Sequence, residues 1–146
     1  MDIKDCLKER YLVKIEPAKD LIQKEIKESE YDLMKAKKAF SDKDNKWAIV
    51  KAYYSMFHSA RAVLFKLGFK EKRHFAVGIV LEVLNKKGLL EIKYINDFSA
   101  AMSSREDADY RYFYSEESAK HNLLIAEEFL RRMKKLLDNI LEKNLK

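Results

Sequence analysis

Three glycines and one proline are all that this chain of 146 residues contains. Tight turns draw on residues that tolerate positive φ or fix a bend, so a chain this poor in them must be built from long elements. The composition, 37% charged and 47% hydrophobic, fits long amphipathic helices and holds too much apolar material for a disordered chain. No segment alternates with period two over enough residues to argue a sheet. Chain length is that of one domain, 1–146, able to bury a core without staples.

The apolar spacing then places the elements. A short helical segment over residues 2 to 13, an addition within the first 16 residues, leads to Pro17, which suits the first turn of the next helix. That helix carries Leu21, Ile22, Ile26, Tyr31, Leu33, Met34 and Phe40 at three-and-four spacing, and "SDKDN" ends it. The next, over 46 to 67, is apolar around most of its girth: Trp47, Val50, Tyr54, Phe57, Ala60 and Leu64 form one stripe, widened by Ile49, Tyr53, Met56, Val63 and Leu67. Such a helix belongs at the centre of a bundle. Gly68 suits a left-handed cap. A helix over 74 to 86 ends at Gly88, a fourth over 90 to 103 buries Ile92, Ile95, Phe98 and Met102, and Ser115 caps a long last helix. The expected fold is all-α, an antiparallel bundle of four main helices plus a short one.

Several function classes fall away. The net charge of +6 permits an anionic partner without demanding one, because lysines alternate with acids on helix faces. No helix carries a run of Arg, Asn or Gln suited to reading base edges in duplex DNA. There is no apolar signal region and no stretch of 18 uncharged apolar residues, and the lone Cys6 forms no internal disulfide; a cytoplasmic protein without a membrane span is expected. No phosphate loop, dinucleotide fingerprint or nucleophile elbow is present, so no cofactor is expected. His58, His74 and His121 lie on separate elements, none with a second His or Cys at i+3 or i+4, so no metal is expected either. His74 and His121 read as exposed, and His58 as part of a polar stripe with Lys51, Ser55 and Arg61. "KEKR", 70 to 73, reads as a soluble basic loop.

One stretch resists the plain reading. "SSREDADYRYFYSEE", 103 to 117, packs two arginines, five acids and three tyrosines into a helix connection. If the fourth helix reaches residue 105, Arg105 falls three residues after Met102 and seven after Phe98, at the edge of the buried stripe. An unpaired charge there is costly. Glu106, Asp107 and Asp109 are the candidate partners, and a planar guanidinium is suited to holding a carboxylate or a phosphate. Tyr110, Tyr112 and Tyr114 add hydroxyls and flat faces for stacking or for a subunit contact. A structural Arg–Asp pair locking the turn remains an equally simple account.

Three pieces in order, "KAYYSMFHSARAVLFKLG" (51 to 68), "SREDADYRY" (104 to 112) and "SEESAKHNLLIAEEFLRRM" (115 to 133), resemble HEPN domain proteins, small prokaryotic stand-alone members above all, over residues 25 to 140. The resemblance implies a two-fold homodimer and pairing with a minimal nucleotidyltransferase encoded nearby. It also implies, for many members, a metal-independent ribonuclease toxin whose arginine is followed after four to six residues by a histidine. Arg105 matches that arginine. The positions open to the histidine hold Tyr110, Arg111 and Tyr112. A tyrosine, with an ordinary pKa of about 10, is a poor base at neutral pH.

The leading expectation is therefore a homodimeric binding module that holds nucleotide or RNA phosphate, or a nucleotidyltransferase partner, through Arg105, Asp109, Tyr110 and Tyr112. The alternatives are a ribonuclease using Arg105 with Tyr110 or His58 as proton shuttle, and a purely structural interaction protein.

Overall fold

The computed structural model describes residues 1–140. Six helices stand among them in the order α1 (Ile3–Lys8), α2 (Lys19–Ser41), α3 (Asn45–Lys66), α4 (Phe75–Lys86), α5 (Ile92–Tyr110) and α6 (Glu116–Asn139). The fold is all-α in class, as its patterning predicts. Cross-helix pairs give the directions: Glu25 meets His58 while Ser29 meets Ser55, so α2 and α3 are antiparallel. By the same logic Glu30–Lys134 with Lys37–Glu127, and Glu91–Arg132 with Lys93–Glu128, run α6 antiparallel to both α2 and α5.

The central position falls to α3, which packs against α2, α4, α5 and α6. Buried residues occupy every side of it, Tyr53, Met56, Val63 and Leu64 among them, and Phe98, Phe129 and Met133 close around it from α5 and α6. Trp47 departs from the predicted stripe. It lies in the first turn, 45% exposed, with the Lys46 and Lys51 ammonium groups beside its ring. Leu21, Tyr31, Met34 and Ile92 are likewise on the surface, while Ser29, Ser55 and Ser59 are buried. Ser29 and Ser55 satisfy each other's needs: the Ser29 hydroxyl donates to the Ser55 carbonyl at 2.6 Å, and Ser55 returns a bond to the Ser29 carbonyl at 2.9 Å. Small paired hydroxyls let α2 and α3 approach without an orphaned polar group.

Two expectations need correction. A two-stranded antiparallel sheet joins β1 (Leu12–Lys14) to β2 (Phe69–Glu71), with Leu12 opposite Glu71 and Lys14 opposite Phe69. Three residues per strand are too few for a period-two signal. "KEKR" is thus half strand: Glu71 is buried, and only Lys72 and Arg73 are exposed. The second correction concerns α5, which continues to Tyr110 instead of stopping near 103. Arg105–Asp109 and Asp107–Arg111 are i,i+4 ion pairs that favour one more helical turn. Gly68 and Gly88, at φ +89° and +76°, stop α3 and α4 as left-handed residues, and the Ser115 hydroxyl accepts from the Ser118 amide to start α6.

Candidate functional site

The extension of α5 changes what surrounds Arg105. Its residue is 9% exposed, and its guanidinium faces rings instead of a close carboxylate. The guanidinium carbon lies 5.0 Å from the Tyr53 ring centre, 5.7 Å from that of Tyr54 and 6.0 Å from that of Tyr110. Asp109, one turn on, comes only to 3.8 Å, too far for a hydrogen bond. Asp107 turns away to Arg111 at 2.6 Å, and Glu106 makes no ion pair with Arg105 among the described residues. The Arg105 Nε is buried with no hydrogen-bond partner. Burial opposes the charge on Arg105, but the oxygens of Tyr54 and Tyr53 outweigh it and raise its pKa. The side chain therefore holds a fixed positive charge with unused donor capacity.

The structure brings Arg105, Asp109 and Tyr110 together. Tyr112 stands apart, 76% exposed at φ +55° with Lys46 over its ring. His58 is not aimed at Arg105 either: its nitrogens face Glu25 at 2.6 Å and Asp32 at 3.6 Å on α2. Burial alone would lower the His58 pKa, but the hydrogen bond and charge of Glu25, with Asp32 behind, raise it. Asp32 is shifted upward too, by burial against the pull of His58 and Lys51.

His74, expected to be exposed, proves half-buried at the start of α4. The Tyr53 hydroxyl lies 2.8 Å from its Nδ1, and its ring stacks on Phe57 at 4.2 Å. Burial, then the charges of Arg105, Arg61 and His58, lower the His74 pKa, while burial drives that of Tyr53 far up. One hydrogen bond thus joins the Tyr53 hydroxyl to His74 Nδ1, with its donor set by the tautomer of the imidazole. Tyr53 touches both Arg105 and His74, so a cation and an imidazole share one aromatic wall. No local spacing announces this, because His74 and Arg105 are 31 residues apart; the only trace is the aromatic run Tyr53–Tyr54 on the central helix.

A model of the HEPN domain matches residues 22–136, from the first turn of α2 into the last turn of α6. The chain belongs to the HEPN family. A protein of Methanocaldococcus jannaschii, named as a candidate toxin, is 33% identical over 136 residues, covering 84% of this chain and 99% of the relative. The HEPN match leaves out α1 and β1, and β1 forms a clasp on the α3–α4 connection through its pairing with β2. That clasp holds β2 and hence the approach to His74: the Lys72 amide donates to the Tyr11 carbonyl at 2.7 Å, and Tyr11 meets Phe75 edge to face. Within the HEPN helices, the Arg105 surroundings lie between α3, α5 and the start of α4. No described helix is long and apolar enough to cross a membrane.

Proposed function

We propose that this HEPN protein acts as a homodimer that binds the phosphate of a nucleotide or RNA through Arg105, with Asp109 and Tyr110 at its rim, and that it takes part in a toxin–antitoxin pair with a minimal nucleotidyltransferase. The observation that carries the reading is the buried, unpartnered Nε of Arg105. Aromatic rings stabilise a guanidinium but offer its Nε no acceptor, and phosphate oxygens match the guanidinium fork. The toxin part rests on the family and on the relative's name. The dimer part rests on Tyr110, Tyr112, Phe113 and Tyr114, a run of large, exposed side chains beside the site. A second copy covering them is the simplest way to bury that surface. Light scattering should give twice the chain mass of 17.3 kDa; a monomer at micromolar concentration would remove the dimer.

Binding of a labelled RNA oligonucleotide and of a nucleotide, followed by fluorescence anisotropy, tests the site. Arg105→Ala should weaken both at least tenfold, since a hydrogen bond to a charged group is worth about 1.5–3 kcal/mol. Unchanged binding would leave Arg105 with a structural role only.

A ribonuclease reading is favoured by one specific observation, the Tyr53–His74 hydrogen bond beside Arg105. There the proton-transfer residue is His74 and neither Tyr110 nor His58. Metal-independent RNA cleavage lost in His74→Gln but kept in Tyr110→Phe would establish it. Tyr110→His restores the family's arginine-to-histidine spacing, and on the binding-module reading it is the variant that gains cleavage.

A further inference from the structure

Where α3 faces α2, Glu25, Glu28 and Asp32 form one stripe of α2 at i, i+3 and i+7 and look across at His58 and Arg61. The cations there do not match the carboxylates. Arg61 is committed to the buried Glu71, at 2.8 and 3.2 Å, and reaches Glu25 only at 3.4 Å. Lys51 lies near enough to act on Asp32 through space but bonds to neither Asp32 nor Glu28 among the described residues. The Asp32 carboxylate, its side chain 15% exposed, has no hydrogen-bond donor among the described residues. His58 Nε2 stands 3.6 Å from it, too long for a hydrogen bond.

We propose that Asp32, His58 and Glu28 bind a divalent transition-metal ion of the zinc type, clamping α2 to α3. The gap itself supports this. Two atoms bonded to one zinc ion at about 2.0–2.1 Å in tetrahedral array stand roughly 3.4 Å apart, close to the distance between His58 Nε2 and Asp32 Oδ2. A ligand atom of Glu28 lies within 4.8 Å of both, and Glu28 is exposed and free to turn inward. The imidazole is already oriented as a ligand, because Glu25 holds Nδ1 at 2.6 Å and Nε2 is the nitrogen turned toward Asp32. An outer carboxylate on the far nitrogen of a ligating histidine fixes the ring and strengthens its donor character. One nitrogen and two oxygens suit zinc better than magnesium, which prefers an all-oxygen octahedral shell, and a water would complete four-coordination. Glu25 is a positioning residue here, not a ligand. The site is separate from the Arg105 reading and stands or falls without it.

Isothermal titration of the metal-free, full-length protein with Zn²⁺, and the visible spectrum with Co²⁺ as probe, test the proposal. One ion per chain is expected, with Co²⁺ giving the absorption bands of a four-coordinate ion. Asp32→Asn and His58→Ala should abolish binding, Glu28→Gln should weaken it, and Glu25→Gln should weaken it about 10- to 100-fold. His121→Ala and Cys6→Ser should bind as the wild type does. Asp32→Asn removes a charge without orphaning a partner, so it should stay folded by circular dichroism even if His58→Ala does not. Absence of saturable binding, or stoichiometric binding that survives in folded Asp32→Asn, would overturn the site.

Discussion

The two sides of α3 carry opposite errors of charge balance. On the side facing α5, one arginine sits among three tyrosine rings with its nearest carboxylate at 3.8 Å. On the side facing α2, three carboxylates lie around a histidine, and the one arginine that reaches any of them, Arg61 at 3.4 Å from Glu25, is already bound to a fourth. The surplus charge on each side opposes folding, because a half-buried charge without a matched partner is costly, even where a single pair such as Glu25–His58 contributes to stability. Elsewhere the protein balances its charges in simple surface pairs such as Lys37–Glu127 and Lys134–Glu30. The contrast teaches that the unmatched charges are the places to look for ligands, an anion on one side and a cation on the other.

The sharpest way to break this contrast is at Arg61, the cation between the two. Arg61→Ala leaves Glu71, buried in β2, without its counter-charge and should destabilise the fold by about 3 kcal/mol in chemical denaturation. A loss below about 1 kcal/mol, the range of surface pairs, would mean that Glu71 is solvated in solution and the imbalance smaller than the distances imply.

Next comes Arg105. Arg105→Met keeps the apolar contact with Tyr53 and removes the under-matched charge, so stability should hold or rise while RNA binding falls at least tenfold. A clear loss of stability would instead favour a structural Arg105–Asp109 pair.

Smaller is the pH dependence, where the two half-buried histidines should oppose each other in chelator-treated protein. The folded-state pKa of His58 is raised, so its contribution is fully present below the unfolded value of about 6.5 and is lost as pH rises through the folded pKa. That of His74 is lowered, so its contribution is present above about 6.5 and is lost as pH falls through the folded pKa. Relative to wild type, His58→Gln should therefore lose stability most on the acid side of neutrality and His74→Gln should gain there. Parallel profiles in the two variants would erase the distinction between the faces. The smallest effect belongs to the seam itself: Ser29→Ala should cost about 1 kcal/mol, because the buried Ser55 hydroxyl keeps its bond to the residue-29 carbonyl.

The bundle was legible because long helices repeat their signal. Leu33 and Ala36 on α2, and Phe129 and Met133 on α6, recur at the helical period, and Gly68, Gly88 and Ser115 punctuate where the chain stops and starts. The mini-sheet was not legible, since pairing Leu12 with Glu71 depends on a contact between distant segments. Arg105 could be singled out from its distance to Phe98 and Met102. Its surroundings could not: Asp107 and Asp109 were equal as partners until the helical turn sent one to Arg111. His74 and His58 both looked idle for the same reason. Their partners, Tyr53, Glu25 and Asp32, lie 21 to 33 residues away and meet them only once helices pack.

The clasp between β1 and β2 also bears on the order in which the molecule comes together. Leu12 and Glu71 are 59 positions apart, and closing a loop of that length directly costs roughly 4 kcal/mol of chain entropy. Once α2 and α3 have zipped into their hairpin, however, Lys19 and Lys66 stand near each other and only short connectors remain to be ordered. The strands should thus pair late, after the hairpin and at little further cost. Because β2 leads directly to His74, the last act of assembly would be to seat the imbalanced aromatic wall that faces Arg105. Amide protection at Val13 and Lys70 would then appear only after protection along α3 in a pulsed hydrogen-exchange refolding series.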